Sequence, residues 1–181
     1  MFLNIITPCS RPLNLKAIAE SINIPRENYR WIVVFDFPIP PDQSVIPDNC
    51  EWYCHQMQGS IVGHAQRNFA MSLVDNGHIY FNDDDACIHP DLWENIKNCS
   101  DNDFISFQQL LKEGGLRLRG DIIAVCFIDS HNFIVSQKIA TNFKFDISKY
   151  EADGIFAREC HLQAKSPLYI DKPLSIYNSL R

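Results

Sequence analysis

The chain has 181 residues, 46% apolar and 12% aromatic, enough for one domain with a sizeable core. A formal charge of −6 and a pI near 5.4 exclude the basic face of a general nucleic-acid binder. An anionic ligand would therefore need a metal ion or a few well-placed Arg and Lys residues.

Phe2–Thr7 predicts a first strand; it lacks the basic leader and cleavage site of a signal peptide. Two prolines make Pro8–Pro12 a loop. Leu13, Ala17, Ile18 and Ile22 then form a helical stripe. Trp31–Phe35 is a continuous apolar run, as in a strand buried on both faces, and Asp36 closes it. Strand, helix and strand in this order predict a βαβ unit. After a proline-rich loop, Glu51–His55 predicts a short strand. A helix should run from about His64 to Asp75, with Gly77 near its C-cap and Arg67 and Asn68 in its first turns. His78–Phe81 is the next strand.

Downstream, His89–Ile96 predicts a helix with Pro90 in its first turn. Strands are expected at Phe104–Phe107, Leu116–Gly120, Ile122–Ile128 and Phe133–Val135. Arg117 and Arg119 form a basic edge, expected on a solvated strand face with phosphate binding the alternative, and His131 is expected as a loop residue with acceptor or product binding the alternative. A helix should run from about Tyr150 to Ala164. Leu168–Ile170 predicts a last short strand, with Lys172-Pro173 leading to a polar tail. No apolar run approaches the roughly 18–20 residues that span a bilayer. Seven scattered cysteines predict reduced thiols and a cytoplasmic setting; Cys50, Cys54 and His55, or Cys160 and His161, do not make a paired zinc spacing.

The organising stretch is His78–Asp85, where a strand runs into three consecutive aspartates. Adjacent acids repel, so a cation is expected beside them. Hard divalent ions take oxygen ligands and are often held by one or two carboxylates plus substrate phosphates. An extended backbone aims Asp83 and Asp85 to one side and Asp84 away, or toward another part of the ligand. A solvated acidic turn is the competing reading. Asp36 and Asp83–Asp85 both follow strands, where open α/β sheets bind ligands.

Four segments in order resemble a GT-A type glycosyltransferase, close to family 2. They are Ile6–Pro12 with its helix and Trp31–Val34, Gly63–Ala70 as G-x-x-x-R-N-x-A, Tyr80–Asp85 as a DxD motif, and Ile128–Val135 followed by Glu151–Gly154. The N-terminal half also resembles the glucuronyltransferase branch. The resemblance implies a Rossmann-like α/β fold with a mixed, mostly parallel sheet flanked by helices. It implies a single domain, residues 1–181, with a nucleotide-binding half over about 1–85 and an acceptor-side half over about 86–181.

It further implies an inverting, metal-dependent hexosyltransferase. Mn²⁺ or Mg²⁺ would assist transfer from a nucleotide sugar, UDP-linked, to a hydroxyl of a glycan, protein or small molecule. Thr7, Pro8 and Arg11 would line the nucleotide pocket, and Asp36 would meet the base or ribose. Arg67 would hold the nucleotide or its diphosphate, and Asp84 would also face the donor. Asp83 would touch ribose or sugar and share the metal with Asp85, its main ligand. Asp153 would be the base, with Glu151 the alternative because Ala152 interrupts the usual adjacent Glu-Asp pair; Asp153 could instead simply cap a helix dipole. A non-catalytic sugar-nucleotide module, a nucleotidyltransferase and a purely structural acidic domain are the alternatives. The Gly-free Pro8–Pro12 loop counts against the second.

Overall fold

The computed structural model describes residues 1–181. Its elements are β1 (Leu3–Cys9), α1 (Leu15–Ser21), β2 (Tyr29–Phe35), β3 (Glu51–Cys54), α2 (His64–Met71), β4 (His78–Phe81), α3 (Leu92–Ile96), β5 (Phe104–Leu111), β6 (Leu116–Leu118), β7 (Phe133–Ser136), α4 (Gln137–Ala140), α5 (Ala152–Gln163) and β8 (Pro167–Tyr177). All eight strands join one sheet in the order β3-β2-β1-β4-β7-β5-β6, with β8 on β5. The β1–β2, β1–β4, β2–β3 and β5–β8 pairs are parallel; β7 runs antiparallel to both β4 and β5. This is the mixed α/β architecture expected. No helix is long and apolar enough to cross a membrane.

Alternation along each strand divides the core into two layers. Ile5, Trp31, Val33, Phe35 and Tyr80 point to one face, where Leu15 and Ile18 of α1 and Leu92, Trp93 and Ile96 of α3 cover them. Ile6, Ile32, Val34, Ile79 and Phe81 point to the other, against Ala70 and Met71 of α2 and Phe156 and Ala157 of α5. Burial on both faces explains why β2 reads as an unbroken apolar run. Beneath the end of β4, Phe81 packs edge-on to Phe133, Phe145 and Phe156, and the last two stack with centroids 4.2 Å apart. Rigid aromatic packing of this kind fixes where β4 ends.

Several local expectations are corrected. Ile122–Ile128 is not a strand: it forms turns, with Ile122 and Phe127 exposed and Cys126 at φ 70°. Strand β5 already pairs with β6, β7 and β8, so it offers this run no free edge. It covers the start of α5 instead. There Gly154 is required, since a Cβ would lie 2.8 Å from the Val125 Cα. Strand β8 continues well past Ile170. Its register against β5 shifts around Gln108, absorbing Asp171-Lys172 and letting Pro173 sit on an edge strand at an irregularity. Leu13 is exposed in a 3₁₀ turn ahead of α1, α2 stops at Met71, and α3 begins only at Leu92.

Candidate functional site

Strands β1, β2 and β4 are parallel, so their C-terminal ends share one edge of the sheet. Strand β7 runs the opposite way and therefore begins at that edge. Tyr80 pairs with Ile134, and continuing this antiparallel register sets Asp83 opposite His131. The acidic triplet thus meets the loops after β1 and β2, the start of α2 and the entry to β7.

Each aspartate has its own arginine. Asp83 accepts a hydrogen bond from the Arg67 guanidinium through Oδ1, and its Oδ2 lies 3.2 Å from His131 Nε2. Burial opposes its charge, but Arg67 and His131 outweigh burial and hold its carboxyl well below the usual range. The same His131 nitrogen lies 2.6 Å from the Asp83 backbone nitrogen. A nitrogen that accepts this N–H cannot also donate to the carboxylate. The neutral ring therefore binds the backbone and the charged ring binds Oδ2.

Asp84 turns the other way. Its Oδ2 accepts from the backbone N–H groups of Ser10 and Arg11 at 2.6 and 2.7 Å and from Ser10 Oγ at 3.1 Å. Its Oδ1 accepts from Arg11 Nη1 at 2.5 Å. This buried carboxylate pins the Pro8–Pro12 loop to the end of β4. Asp84 was expected to face the donor; here both of its oxygens are engaged by the loop. Asp85 is also buried, and its Oδ2 takes Arg181 Nη2 at 2.7 Å and Arg11 Nη1 at 3.4 Å. Burial, with Asp83 close by, raises its proton affinity.

Arg67 is only 3% exposed. Its Nη1 donates to the Val62 carbonyl at 2.6 Å, and its Nη2 reaches Asp83 and, at 3.4 Å, Ser130 Oγ. It was expected on the nucleotide or diphosphate; here its two terminal nitrogens are engaged by protein, its Nε has no partner, and the residue borders the second cavity. Gly63 makes this possible: at φ 76° it caps α2, and a Cβ there would fall 2.6 Å from Pro8 Cβ. Thr7 is likewise corrected. It is fully buried, accepts from Trp31 Nε1 at 3.0 Å, and lines no cavity at the site.

Two cavities meet at the triplet. The first, about 410 Å³, is walled by Pro8, Ser10, Arg11, Asp36, Gln66 and the three aspartates. Asp36 Oδ1 is buried there without a hydrogen-bond partner, and burial raises its proton affinity. The second, about 420 Å³, is walled by Arg117, Asp129, Tyr150, Glu151, Asp153 and Tyr177. Asp83, Asp85, Val62 and Arg181 border both. Asp153 stands in the first turn of α5, where burial and then Asp129 push its carboxyl up to about 6. Glu151 borders the same cavity but is exposed. Arg117 is not simply solvated: it binds Asp129 at 2.9 Å and lies 3.8 Å over the Tyr177 ring.

No three His, Cys, Asp or Glu side chains converge on a ready-made metal cage. The donor chemistry does fit a divalent ion held by few protein ligands. Both guanidinium contacts of Asp85 fall on Oδ2, leaving Oδ1 uncommitted, and the other coordination positions of such an ion are commonly phosphate and water oxygens. The positive charge beside Asp85 is Arg181. Arg181 went unremarked in the sequence, and His131, weighed there as an acceptor-binding or loop residue, stands instead against Asp83. The antiparallel register of β7 could have pointed to His131; no local signal marks Arg181.

This open sheet, with acids after its parallel strands and an antiparallel strand entering the same edge, is a GT-A fold. No family model matches the sequence, and no curated protein matches it. Solved structures do. Residues covering 97% of the chain superpose on S. aureus TarS 1-349 with a TM-score of 0.77 at 15% identity, spanning 60% of that chain. The same protein in complex with UDP-GlcNAc gives a TM-score of 0.75 at 16% identity over 58% of its chain. A mannosyltransferase, PcManGT from Pyrobaculum calidifontis, in complex with GDP-Man and Mn²⁺, gives 0.72 at 13% identity over 56% of its chain. These matches carry the GT-A fold and not the glucuronyltransferase branch. The chain spans about 60% of the length of TarS 1-349.

Proposed function

We propose that this chain binds a nucleoside diphosphate sugar, UDP-linked, and transfers the sugar to an acceptor hydroxyl with inversion. The observation that carries the proposal is the pair of cavities meeting at Asp83 and Asp85, with a carboxylate of raised proton affinity, Asp153, on the second. The first cavity takes the nucleotide. Asp36 offers its unpartnered oxygen to the base or ribose, Pro8 packs beside it, and Arg11 faces the diphosphate. Asp83, fixed by Arg67, meets the ribose or sugar. Asp85, with Asp83 beside it, would hold Mn²⁺ or Mg²⁺, which when bound neutralises charge on the leaving diphosphate.

The second cavity takes the acceptor. Its hydroxyl oxygen bonds to the anomeric carbon as the bond to the diphosphate oxygen breaks. The hydroxyl proton passes to Asp153, and the electron pair leaves with the nucleoside diphosphate. A carboxyl that titrates near 6 is ionised at neutral pH yet more basic than an ordinary aspartate, which suits a general base. The arrangement fits Asp153 for this role better than Glu151, because Asp153 is partly buried on this cavity whereas Glu151 is exposed to solvent. Tyr150 and Tyr177 line this cavity beside the acceptor.

Melting temperature is the test, measured against a panel of nucleoside diphosphates and nucleotide sugars with and without Mn²⁺. A ligand that binds only the native state raises the midpoint by mass action. A Mn²⁺-dependent rise with a uridine nucleotide is expected. No rise with any nucleotide would return the triplet to a structural turn. A rise without turnover against any glycan acceptor would favour the non-catalytic module.

A further inference from the structure

The segment after β8 folds back over the acidic triplet and is held there by contacts at residues 179–181. Asn178, at φ 50°, makes the turn; asparagine tolerates this left-handed conformation better than most residues. Ser179 Oγ accepts from the Cys87 N–H at 2.8 Å, and Leu180 N–H donates to the Asp85 carbonyl at 2.9 Å. Lys112 Nζ donates to the Arg181 carbonyl. Three contacts thus fasten residues 179–181, one at each residue, whereas the Arg181 side chain makes one ion pair, with Asp85 Oδ2. That side chain is about half exposed and borders both cavities.

Exposed ion pairs usually contribute little, but this partner is a buried carboxylate whose burial opposes its charge. The cation therefore answers a need of the site. It also stands on an aspartate whose second oxygen, Oδ1, is uncommitted, which is where a divalent ion would bind. A guanidinium and a divalent ion cannot share one carboxylate at close range without strong repulsion. Arg11 cannot replace Arg181 as the mobile cation, because Asp84 ties it to the loop.

We infer that Arg181 is a further donor-binding residue, an internal counter-ion that occupies the cation's place on Asp85 in the ligand-free protein and turns onto the diphosphate when a divalent ion binds. This rests on the function proposed above and adds to it a coupling. The ion alone must displace Arg181 and binds weakly. The ion together with a nucleoside diphosphate gives Arg181 a new anionic partner, so the two ligands favour each other. Such coupling is reciprocal, with typical factors of about 5–150.

Mn²⁺ binding to the full chain, measured by the electron paramagnetic resonance of free Mn²⁺ with and without UDP, tests this in wild type and Arg181→Gln. The variant should bind Mn²⁺ alone at least about tenfold more tightly, and the factor by which UDP improves Mn²⁺ affinity should fall at least about fivefold. Arg181→Lys should keep part of the wild-type coupling, since it retains the charge without the planar fork. If wild type shows Mn²⁺-dependent UDP binding and Arg181→Gln leaves Mn²⁺ affinity and the UDP factor unchanged, the inference is overturned and the proposed function stands. If neither protein binds Mn²⁺ or UDP, separately or together, both fall.

Discussion

Asp84 and Asp85 are neighbours with opposite expected effects. Asp84→Ala removes a buried acceptor from two backbone N–H groups, one hydroxyl and one guanidinium. Hydrogen bonds to charged groups are worth about 1.5–3 kcal/mol each, but these share one carboxylate, and water can reach Ser10 and Arg11 once it is gone. Breaking a buried ion pair costs about 3–5 kcal/mol. The Arg11 side chain is 43% exposed, so the lower end applies, about 3 kcal/mol. For a chain of this size that corresponds to a fall of roughly 6–12 °C in melting temperature. Asp85→Ala removes a carboxylate whose charge burial disfavours and whose partners reach solvent, so its midpoint should stay within about 3 °C of wild type. Differential scanning calorimetry gives both numbers, and titration calorimetry with UDP and Mn²⁺ gives the second half. Asp85→Ala should lose metal-dependent nucleotide binding with its fold intact. An Asp84→Ala midpoint within about 2 °C of wild type would refute the assignment of Asp84 to the loop. Unchanged nucleotide binding by Asp85→Ala would refute its role toward the cation.

Asp153→Asn should keep UDP binding and lower the transfer rate by about 10²–10⁴-fold, whereas loss of both would make Asp153 structural. In wild type the rate should fall as pH drops through about 6, where Asp153 takes up a proton. Asp153→Asn should also be more stable at pH 7, because raising this carboxyl from 3.8 to about 6 costs the native state about 3 kcal/mol once it is ionised. His64 works in the opposite sense: burial, then Arg67, lowers its imidazole from 6.5 to about 4, so its contribution is present above pH 6.5 and lost as pH falls toward 4. The Asp153 penalty is relieved over nearly the same interval, so wild type should change little between pH 6.5 and 4 on account of this pair. Asp153→Asn should expose the His64 loss as a midpoint that falls with acidification, and a flat profile in the variant would contradict the shift at His64.

The sheet was legible because its strands carry their burial on their surface. Trp31–Phe35 is apolar at every position since both faces are covered, and His78–Phe81 ends where the acids begin. What could not be read was pairing at a distance. Ile122–Ile128 has the composition of a strand, but a strand needs a free edge, and only the sheet shows that β5 has none left. Lys172-Pro173 was expected to lead into a polar tail, yet β8 continues through it on an edge where a missing N–H and a register shift are tolerated. Thr7 and Arg67 sit where the motif resemblance expects ligand-facing residues. Their side chains are turned inward by Trp31 and Asp83, partners that lie 24 and 16 residues away along the chain.

The triplet itself shows the same division between composition and geometry. Three adjacent aspartates demand positive charge, and that much follows from the sequence. The demand is met three times over by protein: Arg67 on Asp83, Arg11 on Asp84, and Arg181 on Asp85. Their exposures differ, and the difference sorts them by task. Arg67 is sealed in and fixes a carboxylate, Arg11 is half buried and fixes a loop, and Arg181 is the most exposed and makes the single side-chain contact. A ligand that brings its own cation can displace only the last of these without opening the fold. On the function proposed above, the exchange of charge on donor binding would therefore centre on Asp85 and Arg181, with Asp84 holding the loop beside them.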